Sequence, residues 1–189
     1  NFCTLDLSSF YFDIRKDVLY CDNINSKKRK NCVKVLNIIL ESLLKWFAPI
    51  LVFTTDEIYS LVTNNNKKSI HEEYFVEIRK NWQNNKLDEK WSRLFKIKQE
   101  ANIAIEEKRA NKEIGSSLEA EIKLIVDTKN FELLEGVDLA EYFITSKAEI
   151  IKEENQKEIK IEVKKITGIK CSRCWKILEN KCLRCEKAI

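Results

Sequence analysis

Four cysteines near the C-terminus carry the clearest chemistry in this sequence. Cys171 and Cys174 stand two residues apart, as do Cys182 and Cys185, and seven residues separate the pairs. A two-residue gap lets both sulfurs of one turn face the same point. Two such turns supply four thiolates, the closed tetrahedral shell that structural Zn²⁺ prefers. Four protein ligands leave no position open for water, so the ion implied is structural, one per chain, and forms no reactive hydroxide. Residues 168–189 bury too little apolar surface to fold alone, and the metal supplies their folding energy. Cys3, Cys21 and Cys32 are scattered and read as small core residues. Clustered thiols of this kind point to metal rather than disulfides, and to a reducing, cytoplasmic setting.

Arg173, Trp175 and Arg184 sit on the metal turns. In one reading the indole stacks on an unpaired base while the guanidinium groups meet phosphate. In the other, Trp175 packs beside the metal and the arginines are merely solvated. A second basic cluster, Lys27, Lys28, Arg29 and Lys30, opens a predicted helix. Positive charge is unfavourable at a helix N-terminus, so the cluster reads either as a contact for RNA phosphates or as an ordinary charged cap. No catalytic residue is expected. His71 is the only histidine and has no nucleophile beside it. No glycine-rich phosphate loop exists, and Glu106, Glu107 and Glu113 lie on a charged helix face.

The elements that must hold these groups follow from composition and periodicity. The chain has 189 residues, 44% hydrophobic and 34% charged, with three glycines and one proline. That balance favours a helix-rich chain with a core. No apolar run reaches the ~18 residues of a membrane span. The net charge of +4 is uneven. Residues 164–189 hold eight lysines and arginines against Glu179 and Glu186, a basic module suited to a polyanion such as nucleic acid. The absence of methionine leads us to expect the C-terminal piece of a longer protein.

Apolar steps predict a helix to about Cys21, a loop over residues 22–25, and a second helix capped by Ser26 and ended by Pro49. Thr54 or Thr55, followed by Asp56 and Glu57, is expected to start a third helix. Residues 64–68 read as a polar loop and residues 69–83 as loop with one turn. Leu87, Trp91, Leu94, Ile97, Ala101 and Ile105 mark the clearest helix, expected to stop at Gly115. The period then changes. Alternation from Leu118 to Asp127 predicts a strand, residues 128–139 a short helix, and residues 142–151 and 159–166 two more strands. The expected fold is mainly α. A helical bundle over residues 1–115 is followed by a small α+β junction unit over 116–167 and a four-cysteine zinc module over 168–189.

Several stretches together resemble the isoleucyl-, valyl- and leucyl-type tRNA synthetases. They are Leu7-Ser8-Ser9-Phe10-Tyr11-Phe12 with Lys16-Asp17 and Leu19-Tyr20, and Ala48-Pro49-Ile50-Leu51 with Phe53-Thr54-Thr55 and Glu57-Ile58. Ser69-Ile70-His71 and Glu106-x-x-Arg109 with Ile114-Gly115-x-Ser117-Leu118-Glu119-Ala120 complete the series. The ending Cys171-x-Arg173-Cys174-Trp175 with Cys182-x-Arg184-Cys185 is similar to the zinc tail of bacterial-type isoleucyl-tRNA synthetases. The resemblance implies an anticodon-binding bundle, a junction domain and a zinc domain, with isoleucine-specific tRNA as partner. It implies a portion, monomeric with the rest of its own chain, that binds the anticodon stem-loop and is inactive alone. ATP and Mg²⁺ would belong to a catalytic domain whose His-x-Gly-His and Lys-Met-Ser-Lys-Ser signatures are absent here, as is the editing domain. The seven-residue spacer between the cysteine pairs is short for the family and lacks its usual glycine. The alternative is a stand-alone zinc ribbon binding DNA or protein, an ending also seen in formamidopyrimidine-type DNA glycosylases.

Overall fold

Ala120, Ile122, Leu124 and Val126 lie on one face of a strand, and all four are completely buried. This strand, β1 (Ala120–Val126), is the centre of the computed structural model of the chain, which describes residues 1–64, 68–154, 156 and 158–188. β1 pairs in parallel with β2 (Lys147–Lys152) and antiparallel with β3 (Lys160–Lys165), giving the order β2-β1-β3. A parallel pair needs a crossover. Residues between β1 and β2 supply it as two short helices, Thr128–Leu134 and Leu139–Tyr142. Asp127 and Asp138 each accept a backbone N–H at the start of one of them. Gly136, at φ 76°, turns the chain between them.

Of the two compact units, the first is discontinuous in sequence, Asn1–Asn23 with Asn84–Ile189, and the second is the continuous stretch Ile24–Gln83. The first begins with a wide π-type helical segment, Phe2–Phe12, running into α1 (Asp13–Cys21). The sequence predicts ordinary helix throughout. The wider winding accompanies a Ser9 hydroxyl that donates 2.9 Å to the carbonyl of Thr4, five residues back. The long helix of this unit, Asn85–Ala110, is capped by Asn84, whose side chain accepts from the Leu87 N–H. Its buried stripe, Leu94, Ile97, Ala101 and Ile105, shares one core with the inner face of β1 and with Val163 of β3. The helix stops before Gly115. Lys112 takes the left-handed conformation (φ 58°), and the N–H groups of Lys112 and Glu113 close back on Arg109 and Lys108. Those two bonds are a Schellman termination with lysine where glycine is usual.

The second unit holds α2 (Lys27–Phe47) and α3 (Val52–Thr63). Ser26 caps α2 as expected, accepting from the Arg29 N–H at 3.2 Å. α3 begins at Val52, earlier than the two threonines, because the chain turns tightly after Pro49: Leu51 donates 2.7 Å to the Phe47 carbonyl. The Thr55 hydroxyl donates to Leu51 within the helix rather than capping it. Asp56 instead receives the Ser69 hydroxyl at 2.6 Å and the Ile70 N–H at 2.9 Å. Leu44, Ala48 and Ile70 form the small core of this unit. Residues 69–83 contain two short 3₁₀ turns, Ile70–Glu72 and Lys80–Trp82. Of the polar loop expected at 64–68, residues 65–67 lie outside the described residues.

The strand expected over 142–151 begins only at Lys147. Asp138 captures residues 139–142 into a helical turn, so Tyr142 and Phe143 enter the core from there. They join Phe10, Trp91 and Phe95 in an aromatic cluster. In the numbering used from here, Asn85–Ala110 is α4, and Thr128–Leu134 and Leu139–Tyr142 are α5 and α6.

One charge lies inside this cluster. The Lys98 ammonium donates to the Tyr142 carbonyl and sits 4.9 Å from the centre of that ring. Burial pushes Lys98 down to about 8 from 10.5. The unfolded chain therefore binds a proton between these values that the folded chain releases, and the group's contribution to stability rises with pH across that window. Lys98→Met should be more stable than the parent by about 1–2 kcal/mol near pH 7, after the lost hydrogen bond is offset. That advantage should shrink steadily above pH 8, as read from urea midpoints of both proteins over pH 6.5–10.5.

Candidate metal centre

The four tail cysteines are brought together by two turns. Cys171 follows the two-residue strand β4 (Ile169–Lys170), which pairs antiparallel with β5 (Ile177–Leu178). Between these strands the Trp175 N–H donates to the Cys171 carbonyl and the Cys171 N–H to the Lys176 carbonyl, both at 2.9 Å. This closes the first turn around Cys171 and Cys174. Cys182 and Cys185 lie at the start of and within α7 (Leu183–Glu186). The hairpin is tight at its base. A Cβ added to Gly168, whose φ is +154°, would lie 2.4 Å from the Leu178 carbonyl oxygen. No side chain fits there without moving backbone.

All four sulfurs lie within 4.8 Å of one another, and Cys174 Sγ and Cys182 Sγ are 3.9 Å apart. A tetrahedral ion with metal–sulfur bonds of about 2.3 Å requires sulfur–sulfur edges of about 3.8 Å. The spacing therefore fits a metal, and it is far beyond the ~2.05 Å of a disulfide. Backbone N–H groups of Cys174 and Arg173 hold the Cys171 thiol down to about 7, which favours the thiolate a metal needs. Burial pushes Cys174 and Cys185 upward. A cation at the centre of the four sulfurs would supply the charge compensation that ionising those two buried thiols requires.

Both arginines of the metal turns are engaged within the protein. Arg184 makes a bidentate pair with Asp17 of α1, Nη1 to Oδ2 at 2.6 Å and Nη2 to Oδ1 at 2.7 Å. It also reaches Asp22 Oδ1 at 3.4 Å. Burial pushes the Asp17 carboxyl up, but Arg184 and Lys176 outweigh it and hold the group below its ordinary range. Arg173 donates 3.0 Å to the Tyr20 carbonyl and 3.5 Å to that of Cys185. Cys21 is buried against the sulfur cluster, its thiol 3.7 Å from the Arg173 carbonyl. On the other side, the Ser146 hydroxyl accepts the Ile177 N–H at 2.7 Å and donates to the Leu118 carbonyl.

Trp175 differs from its neighbours. It is 62% exposed and holds a left-handed backbone (φ 63°), a conformation costly for a bulky residue. It lines a cavity of about 540 Å³, whose other walls include Lys16, Tyr20 and Cys21 of α1. Lys27, Lys28 and Lys30 are exposed at the start of α2, and Lys30 lies 3.2 Å from Asn25 Oδ1. They belong to the other compact unit. His71 reaches the Val52 carbonyl at 3.2 Å.

Sequence reasoning missed Asp17, Ser146 and Gly168. Asp17 stood in a quoted motif but carried no visible partner, since Arg184 is far away in the chain. Ser146 fell inside a wrongly extended strand. Gly168 had a signal, a lone glycine just before the first cysteine.

Residues 1–124 match the family described as the anticodon-binding domain of tRNA ligase. The chain belongs to that family. Along nearly its whole length it is also similar to isoleucine--tRNA ligases. The protein of that name from Pelagibacter ubique is 54% identical over 184 residues, covering 97% of this chain and 20% of the relative. Those of Methylacidiphilum infernorum and Agrobacterium fabrum are 42% and 37% identical, covering 93% and 94% of this chain and 19% of each relative. The chain thus spans about a fifth of the length of the curated relatives it matches.

Plasma emission analysis of the purified anticodon-binding chain should find one tightly held metal ion per molecule. Cys174→Ser should release it and abolish amide protection over residues 168–188. Gly168→Ala should weaken metal retention against a chelator by about tenfold or more, because the new Cβ displaces the Leu178 carbonyl.

Proposed function

We propose that this chain is the tRNA-binding C-terminal portion of an isoleucine--tRNA ligase. The observation that carries this reading is membership of the anticodon-binding family over residues 1–124. Its similarity to isoleucine--tRNA ligases extends over 97% of the chain. Within the whole ligase it serves the ATP-dependent attachment of isoleucine to its tRNA. ATP and Mg²⁺ act in the rest of the enzyme. The present chain binds and orients the tRNA, and by itself joins nothing. Binding energy far from the reacting bond lowers the barrier when it holds the acceptor end in place.

The metal is Zn²⁺. Four thiolates at tetrahedral spacing suit a soft, borderline cation with no geometric demand of its own. Cys171, Cys174, Cys182 and Cys185 would hold it, and its contribution is a fixed shape. Functionally, residues 1–115 address the anticodon stem-loop, 116–167 form the junction and 168–189 the zinc finger. These functional parts are cut differently from the two packing units. The protein works in the cytoplasm as a single copy.

The candidate RNA-facing set is Trp175, Arg173, Arg184, Lys27, Lys28, Arg29 and Lys30. Trp175 has the strongest support. A largely exposed indole in a costly backbone conformation gains little from packing, and aromatic faces on single-stranded loops are a common basis of specific RNA contact. Nothing in the site favours duplex DNA, and a zinc-ribbon adaptor role would leave the family match unexplained.

In competition binding, isoleucine tRNA should displace a labelled isoleucine-tRNA transcript better than non-cognate tRNA or duplex DNA does. Equal displacement by duplex DNA would favour the zinc-ribbon alternative. Trp175→Ala should weaken binding by about 5–30-fold with zinc retained, the loss of one stacked base. Replacing Lys27, Lys28, Arg29 and Lys30 together with Gln should flatten the logarithmic salt slope by about 2–3 if all four meet phosphate.

A further inference from the structure

Polar side chains of the finger are turned onto α1, and Arg184 makes the bidentate contact among them. Both its terminal nitrogens are taken by Asp17 in a fork-to-fork pair at 2.6 and 2.7 Å. Such a pair fixes orientation as well as distance, which a single contact does not. The Asp17 carboxylate also has Lys176 at 3.9 Å, on the residue after Trp175. Two cations from the two metal turns thus converge on one carboxylate of α1. Arg173 and Cys21 add bonds across the same seam, and Asn23 donates 3.1 Å to the Lys187 carbonyl. Lys16, Tyr20 and Trp175 line a cavity of about 540 Å³ together with Asp17, Arg173 and Lys176 of the seam. Tyr20 is 73% exposed and Trp175 62%.

From this arrangement we propose that Asp17 and Arg184 are positioning residues for RNA: their ion pair docks the metal finger on α1, so that Trp175 is presented beside Lys16 and Tyr20 as one binding face. The proposal rests on the reading that the finger meets tRNA. It assigns Arg184 a different task from direct phosphate contact, and the two tasks predict opposite behaviour at Asp17. If Arg184 touched phosphate, Asp17 would compete for it, and removing Asp17 would leave binding equal or tighter. If Arg184 positions the finger, removing either partner loses the same thing.

The experiment uses the full 189-residue chain, zinc-loaded, with an isoleucine-tRNA transcript as probe. Asp17→Asn, Arg184→Gln, the double variant and Trp175→Ala are compared for affinity and zinc content. Asp17→Asn and Arg184→Gln should each weaken binding about tenfold, and the double variant little further, because the second change removes a group whose fork partner is already gone. Docking has its own readout. In the parent, bound zinc would shield its four ligand thiols, and Cys21 and Cys32 are buried while Cys3 is exposed. Undocking with zinc retained should therefore add one alkylated thiol, Cys21, detected by mass spectrometry. Unchanged or tighter binding by Asp17→Asn alongside a loss in Arg184→Gln overturns the proposal in favour of direct contact. Additive losses in the double variant, or no newly reactive Cys21, overturn it as well. Unchanged binding by Trp175→Ala is a separate outcome: it overturns the finger's role in tRNA binding, and the positioning role with it.

Discussion

Removing one face of β1 from water is the constraint on which the larger unit depends. Ala120, Ile122, Leu124 and Val126 are fully buried beneath the stripe of α4. At about 25 cal/mol per Å² of apolar surface, these side chains and their partners dominate what holds the unit together. The strand's two neighbours then follow. β3 pairs antiparallel on one edge, and β2 needs the α5–α6 crossover to run parallel on the other. That crossover delivers Tyr142 and Phe143 to the aromatic cluster and Ser146 to the surface where the metal hairpin attaches.

The finger is anchored at two places that this core fixes. Ser146 holds β5 through one backbone bond, and α1 holds both metal turns through Asp17 and the Tyr20 carbonyl near its end. The energetics of these anchors are electrostatic and partly desolvated, whereas those of the core are apolar. A buried-edge fork between Asp17 and Arg184 is stronger and more directional than an exposed pair would be. A metal ion held by the four cysteines would add internal rigidity to the finger, but the finger's location relative to α1 comes from these polar contacts.

The unit over Ile24–Gln83 solves a different problem. Its two helices bury only a small core around Leu44, Ala48 and Ile70. Polar brackets supplement it: Asp56 with Ser69 and Ile70, and Glu73 with Tyr59 and Lys45. Phe53 and Tyr74 remain 89% and 90% exposed.

By itself the sequence determined local things. The two-residue gaps picked out the four cysteines whose sulfurs the fold gathers within 4.8 Å of one another, because two residues between cysteines let both sulfurs of a turn face one point. The alternation in β1 and the three-and-four spacing of α4 named the core, because each period puts apolar residues on one face. Ser26 named its helix start. The family's motifs were legible in chain order, and residues 1–124 do belong to the anticodon-binding family. What only the tertiary structure decided was pairing between distant residues. No local pattern shows that Arg184 faces Asp17, that Lys98 enters an aromatic cluster, or that Asp138 turns residues 139–142 into helix instead of strand. Helix ends also escaped, since Lys112 adopts the left-handed turn that glycine would have advertised. These outcomes depend on which groups meet in space after the core forms, and a charge or a turn residue carries no record of its partner.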